Sequence, residues 1–230
     1  MSGEYPLTTR TEKWYPGPGR ITIALPEGEP FMTIVTAMRF EDRIVFVADT
    51  QVTEDIMRTR TTKLAKHPIL PLCWGYAGVL TVGESFTRWL IKQDTLSNWE
   101  SLTSQVCTVL PQLNGDHKQR MKDSKSKWTK GDETWILMGG YLSGIPQILE
   151  LAPTGEWRNR TEDNFAAIGS GAIYARLARF AIGGYLRDYL KGKGGTFPYT
   201  LGMLKFLTGF AAEYDRNSSG PLNTMEITNA

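Results

Sequence analysis

Two hydrophobic periods alternate along the chain, and their order predicts its architecture. Residues 33–40 are apolar and β-branched, residues 41–43 (Glu41, Asp42, Arg43) are polar, and residues 44–48 are continuously apolar. Short apolar runs of this kind predict strands covered on both faces, and the short polar break predicts a hairpin. A polar stretch over 50–62 leads to Lys63 and Leu64, and another strand is predicted over 69–76. Helical spacing follows. Thr81-Val82-Gly83-Glu84 has capping-box spacing before a stripe of Val82, Phe86, Trp89 and Leu90. Ser97-Asn98-Trp99-Glu100 repeats the box before Leu102, Val106, Val109, Leu110 and Leu113. A charged loop is predicted over 116–132. Strands are predicted over 134–141 and 145–151, joined around Ser143-Gly144, and over 165–168. Ile173, Leu177, Phe180 and Ala181 mark a third helix ending near Gly192. Leu201, Leu204, Leu207 and Ala211 mark a fourth, and residues 222–228 close the chain as a strand.

The order is strands, two helices, strands, two helices, strand. Helix pairs must bury their apolar stripes on sheet faces, so a sandwich of two sheets with helices outside satisfies the pattern. Other α+β layouts satisfy it as well. Residues 1–32 stand apart: Trp14-Tyr15-Pro16-Gly17-Pro18-Gly19 and Pro26-Glu27-Gly28-Glu29-Pro30 break regular structure. Only residues 21–25 there suit a short edge strand. The segment reads as an arm or pro-segment before a domain over 33–230.

Composition narrows the functional classes. At 230 residues the chain suits one large domain with a substantial core. A formal net charge of +2 is too small to argue for nucleic acid or an anionic membrane as partner. The two cysteines, Cys73 and Cys107, lie in apolar stretches and read as buried free thiols. No apolar run is long enough to span a membrane, and the N-terminus lacks the basic and apolar regions of a secretory signal. These features point to a cytoplasmic location.

The residues with chemical potential begin at Thr33. The run Thr33-Ile34-Val35-Thr36-Ala37-Met38-Arg39-Phe40, then Ile44-Val45-Phe46-Val47-Ala48-Asp49-Thr50-Gln51-Val52-Thr53, resembles the opening hairpin of proteasome β-type subunits and of the HslV peptidase. In that family a threonine opens the mature chain and an aspartate follows sixteen residues later, as Asp49 follows Thr33. A lysine comes after a polar loop; Lys63 fits, with a loop two residues shorter. Tyr76-Ala77-Gly78, Ile168-Gly169-Ser170-Gly171, Asp215 with Ser218, and Gly220-Pro221-Leu222 extend the resemblance over about residues 33–228. It implies a four-layer α-β-β-α sandwich of the N-terminal-nucleophile (Ntn) hydrolases and threonine-type hydrolysis of peptide bonds.

The chemistry is coherent on its own terms. A threonine hydroxyl needs a base at neutral pH. A terminal amine, with a reference pKa of about 7.7–8.0, is a good one. Only the first residue of a chain carries both, so residues 1–32 must be lost for Thr33 to act. Lys63 would hold positive charge where negative charge develops and help move the proton, with Asp49 fixing it. The resemblance implies that the Gly78 N–H faces the oxyanion and that Ser170, Asp215 and Ser218 hold the terminal amine and a water. Ser219 is the alternative to Ser218. The resemblance also assigns Thr53 and Tyr76 to substrate binding. Singly, each residue has a plainer reading. Thr33 is a strand residue, Asp49 a turn residue, Lys63 a surface charge, and Ser170 a helix cap. Asp215 and Ser218 are loop caps, Gly78 a backbone requirement, and Tyr76 a core residue. Met32 departs from the family, whose self-cleaving precursors carry glycine there. It suggests initiation at Met32 or aminopeptidase removal of it.

The remaining motifs read blandly. His67 and His117 have no metal-ligand spacing with the cysteines and are taken as surface residues. Lys118, Arg120, Lys122, Lys125, Lys127 and Lys130 read as a solvated basic loop. Residues 191–196 lack phosphate-loop spacing. No metal or organic cofactor is implied. The resemblance implies a peptide or unfolded-protein substrate, self-association into rings through apolar surface on the helices, and room for an ATPase partner. The rivals are a non-catalytic, α-like ring subunit, an amidase or acyl transferase on a small substrate, and a nucleic-acid module built on the basic loop.

Overall fold

Strands β1 (Val35–Arg39) and β2 (Arg43–Ala48) form the hairpin that their apolar runs predict, in antiparallel register from Val35↔Ala48 to Arg39↔Ile44. They belong to a computed structural model that describes residues 33–54, 57–96, 98–126, 132–191, 200–215, 218 and 220–228. Residues 1–32, with the expected edge strand over 21–25, lie outside the described residues. The polar stretch after β2 is not all loop: it holds β3 (Gln51–Glu54) paired with β4 (Met57–Arg60). The other elements are β5 (Leu64–Lys66), β6 (Leu72–Ala77), α1 (Leu80–Ile91), α2 (Trp99–Asp123), β7 (Trp135–Leu142), β8 (Ile145–Leu151), β9 (Trp157–Asn159), β10 (Phe165–Ile168), α3 (Ala172–Lys191), α4 (Leu201–Tyr214) and β11 (Asn223–Thr228). One antiparallel sheet runs β10-β1-β2-β11 and the other β5-β6-β7-β8-β9.

Strand alternation assigns the core. Ile34, Met38, Val45 and Val47 pack with Ala175, Leu204, Leu207 and Ala211 of α3 and α4. Alternate residues, among them Val35, Ala37, Ile44 and Phe46, pack with Leu64, Cys73, Leu137 and Ile148 of the other sheet. That sheet's remaining face (Trp74, Ile136, Met138, Leu149) packs with Phe86, Leu90, Leu102 and Val106 of α1 and α2. Burying each of the Val, Leu, Ile, Phe and Met side chains among them contributes roughly 1.5–3 kcal/mol, which explains why the β1 and β2 runs are apolar on both faces.

Several expectations are corrected. The predicted 69–76 strand begins only at Leu72. Its predicted first residues form a turn in which Ile69 is 73% exposed. The turn is organised by His67, which is buried rather than on the surface; its Nδ1 accepts from the N–H of Ile69 at 3.2 Å and of Leu70 at 2.9 Å. Helix α1 is not capped by Thr81. Its N-cap is Val79, with no side-chain cap from that residue. Helix α2 is capped by Asn98, whose side chain accepts from Ser101 N–H at 2.8 Å; Ser97 lies outside the described residues. α2 also continues to Asp123, through the first part of the predicted loop, because its Gln, Lys, Arg and Met residues favour helix and Gln119 bonds Asp123 one turn on. In α3 the predicted stripe faces outward, with Ile173, Leu177 and Phe180 at 59%, 48% and 80% exposure. Small Ala172, Ala175 and Ala178 instead let the helix approach the core. Cys73 is a buried free thiol, whereas the free Cys107 is only half-buried.

Candidate active site

The hairpin register builds the first half of the site. Continuing Val35↔Ala48 by one step sets Ile34 opposite Asp49, and the two exchange bonds: Ile34 N–H donates to Asp49 Oδ1 at 2.9 Å and Asp49 N–H to the Ile34 carbonyl at 3.2 Å. Gln51 N–H donates to Asp49 Oδ2 at 3.2 Å. Lys63, immediately before β5, reaches the same carboxylate with Nζ at 3.0 and 3.1 Å from its two oxygens. The same Nζ donates to Thr33 Oγ1 at 2.6 Å. Thr33, Asp49 and Lys63 are 4%, 0% and 1% exposed.

Burial sets the electrostatics. It pushes the Lys63 ammonium below its ordinary range, and the carboxylates of Asp49 and Asp215 oppose that shift. Burial likewise pushes the Asp49 carboxyl up, while Lys63 and the N–H groups of Ile34 and Gln51 pull it down. A buried pair of this kind is expensive unless its geometry is good. Here one amine donates to both a carboxylate and a hydroxyl, which joins the three side chains into one buried cluster.

A second group converges from the far end of the chain. Asp215, the C-cap of α4, accepts from the Ser218 hydroxyl at 2.7 Å and from the Ser170 hydroxyl. Asp215 and Ser218 are buried. The Gly169 turn joins this group to Thr33. At φ +93° it lies so close that a Cβ there would meet the Thr33 carbonyl oxygen at 1.9 Å, so only glycine fits. Gly171 packs beside both Ile34 and Asp215, where an added Cβ would lie 3.1 Å from Ile34 Cβ and 3.5 Å from Asp215 Oδ2.

Gly78 follows β6 at φ +122°. Tyr76 N–H donates to the Lys63 carbonyl at 3.2 Å, and Gly78 stands two residues further along that alternation. Among the described residues its N–H has no hydrogen-bond partner. Tyr76 is 5% exposed, its hydroxyl lies 3.4 Å from the Thr62 carbonyl, and burial pushes its pKa up to about 12. It lines a cavity of about 310 Å³ with Thr61, Thr62, Ala65, Glu84 and Arg88. Glu84, taken from sequence as a cap partner, is thus a cavity residue; nothing in its spacing signals that. Thr53 pairs with Arg58 in the β3–β4 ribbon. Ser219 lies outside the described residues. Among the described residues no group of three His, Cys, Asp or Glu side chains is arranged to hold a metal ion.

Sequence reasoning passes over Thr134 and Asn114. The buried Thr134 hydroxyl accepts from Val79 N–H at 3.0 Å and donates to the Val79 carbonyl at 3.3 Å, beside Gly78. No local motif announces this contact, because its partners are 55 residues apart.

No protein-family model matches the chain, and no curated protein matches it. Solved structures do. BPH of Thiobacillus denitrificans in complex with epoxomicin aligns with TM-score 0.57 and 16% identity, over 86% of this chain and 99% of that one. This chain has a proteasome-like fold. Anbu, the ancestral β-subunit of Yersinia bercovieri, aligns with TM-score 0.63 and 14% identity, over 85% of this chain and 82% of its own. Eukaryotic HslV of Trypanosoma brucei aligns with TM-score 0.55 and 16% identity, over 85% and 99%. Among the described residues, no helix is long and apolar enough to cross a membrane.

Proposed function

We propose that this chain is a threonine-type peptidase whose nucleophile is Thr33. The observation that carries the reading is the buried contact of 2.6 Å between Lys63 Nζ and Thr33 Oγ1, with Asp49 behind it. Once residues before Thr33 are removed, its hydroxyl oxygen attacks the carbonyl carbon of an amide. The hydroxyl proton passes, with help from Lys63, to the new terminal amine. The oxyanion develops against the Gly78 N–H, at the N-terminus of α1, where helix amides and dipole favour negative charge. Collapse breaks the C–N bond, and the leaving amine takes the proton. Water then adds to the ester on Thr33 and releases the acid. Ser170, Asp215 and Ser218 hold the terminal amine and that water.

The finer reading of the fold goes with this function: four layers, α-β-β-α. Three apolar clusters support it, one between each helix pair and its sheet and one shared by the two sheets. We assign a peptide or unfolded-protein substrate, a cytoplasmic location and self-association into rings. The apolar outward stripe of α3 supports the last. An ATPase partner is suggested by resemblance alone. Met32, in place of the glycine of self-cleaving precursors, favours a second reading: a structural ring subunit that keeps its extension.

The test is the intact mass of untagged protein from its native host, then treatment with epoxomicin, the compound bound in the similar BPH structure. A chain beginning at Thr33 that forms an adduct there supports the peptidase. A chain that keeps the preceding residues sinks the claim that this form hydrolyses anything.

A further inference from the structure

We infer that Thr134, itself held by Asn114, is a positioning residue that fixes the Gly78–Val79 turn for the proposed hydrolysis. The inference rests on the peptidase reading above. It begins from a problem in the backbone. Gly78 sits at φ +122° between the end of β6 and the start of α1. Glycine is the residue least able to hold its own conformation, so a turn that must present one N–H in one direction needs to be fixed from outside.

The structure supplies fixation on both sides. On the strand side, Ala77 is in register with Trp135 at the last rung of the β6–β7 ladder. Ala77 also packs where Gly169 meets Thr33: a Cβ built on Gly169 lies 1.9 Å from the Thr33 carbonyl oxygen and 3.2 Å from Ala77 Cβ. The turn is therefore next to the nucleophile. On the helix side, the Thr134 hydroxyl grips both polar groups of Val79, accepting from its N–H at 3.0 Å and donating to its carbonyl at 3.3 Å. Backbone packing completes the grip, since a Cβ at Gly78 would lie 2.2 Å from the Glu133 carbonyl oxygen.

Thr134 is anchored in turn. Its N–H donates to Asn114 Oδ1 at 2.8 Å, and Asn114 Nδ2 lies 3.4 Å from the Thr134 carbonyl and 3.0 Å from the Leu110 carbonyl. The Asn114 amide thus bridges α2 to the start of β7 with both its ends. Thr134 is 0% exposed, so the hydroxyl bonds are not traded for water. A hydroxyl used only to satisfy itself needs one partner. This one takes both the N–H and the carbonyl of Val79, the residue that follows Gly78 and stands at the N-cap of α1.

The test uses the chain beginning at Thr33 and a fluorogenic peptide, with Thr134→Val, Thr134→Ser and Asn114→Ala. Removing a whole oxyanion donor costs about 10²–10³ in kcat. Misdirecting one by losing the clamp is expected to lower kcat by about ten- to a hundredfold in T134V. KM should stay within about twofold, and T134S should recover most of kcat, because its hydroxyl remains. T134V at wild-type kcat, or T134S as poor as T134V, would overturn the clamp. Should T134V fail to fold, N114A carries the test: lower kcat at constant KM is expected, and unchanged kcat overturns the inference. Amide hydrogen exchange gives a readout that needs no turnover. Exchange at Val79 should accelerate at least about tenfold in T134V while β7 and β8 stay protected; unchanged exchange overturns the clamp. An inactive parent chain with faster Val79 exchange would keep the clamp and sink the peptidase reading.

Discussion

Lys63 Nζ lies 2.6 Å from Thr33 Oγ1. This is closer than its distances of 3.0 and 3.1 Å to the Asp49 oxygens. The lysine is therefore not merely the counter-ion of a buried carboxylate. Its amine bridges the carboxylate and the hydroxyl. In the chain beginning at Thr33, Lys63→Ala should lower kcat on a peptide substrate by about 10²–10⁴, the usual worth of a positioned proton-transfer group. Turnover within tenfold of the parent would remove Lys63 from the mechanism.

The same pair has a structural cost that can be measured separately. Asp49→Asn keeps the shape but leaves the Lys63 ammonium buried without its counter-charge. A broken buried pair costs about 3–5 kcal/mol, and urea unfolding of D49N should show a loss of that size. Replacing both partners, Asp49→Leu with Lys63→Met, should restore most of the stability without activity. A double variant no more stable than D49N would mean that packing, not charge, dominates this site.

Geometry explains why the meeting of Thr33, Asp49 and Lys63 is legible in the sequence and its surroundings are not. A tight antiparallel hairpin fixes which residues face each other, so the interval from Thr33 to Asp49 is a register statement visible in sequence. The apolar runs of β1 and β2 gave burial on both faces for the same reason. Contacts made by distant, chemically ordinary residues left no local trace. Thr134 looks like any strand-initial threonine, and Asn114 like any helical asparagine. The burial of His67 is invisible in the sequence, because histidine composition says nothing about a turn whose N–H groups need an acceptor. Periodicity also locates a stripe without saying what it faces: the large residues of α3 point outward because its alanines pack closer. In the basic run, charge hides helix-favouring side chains, so a helix over its first part reads as loop.

Gly169 tests the join between the two halves of the site. Its φ of +93° disfavours any other residue, and an added Cβ would strike the Thr33 carbonyl oxygen at 1.9 Å. Gly169→Ala should displace Thr33 and destabilise the fold by more than the roughly 0.4–1 kcal/mol that a compatible Gly→Ala change gains. Urea unfolding and peptide turnover check both parts. G169A with normal turnover would show that Thr33 does not depend on this turn.

His67 gives the molecule a pH dependence away from the nucleophile. Burial lowers its pKa from 6.5, and the Leu90 carbonyl and Asp94 only partly oppose this. Geometry demands the same direction, since Nδ1 accepts from two N–H groups and a proton there would face two donors. The folded state therefore holds His67 neutral, and the unfolded chain binds the proton more tightly. Its contribution is fully present above pH 6.5 and is lost as pH falls from 6.5 through the lower folded pKa. The urea midpoint should drop between pH 7 and pH 5. In His67→Asn, whose Oδ1 keeps an acceptor for the turn without titrating, the drop should be smaller. Equal drops in the two proteins would assign the acid sensitivity to other groups.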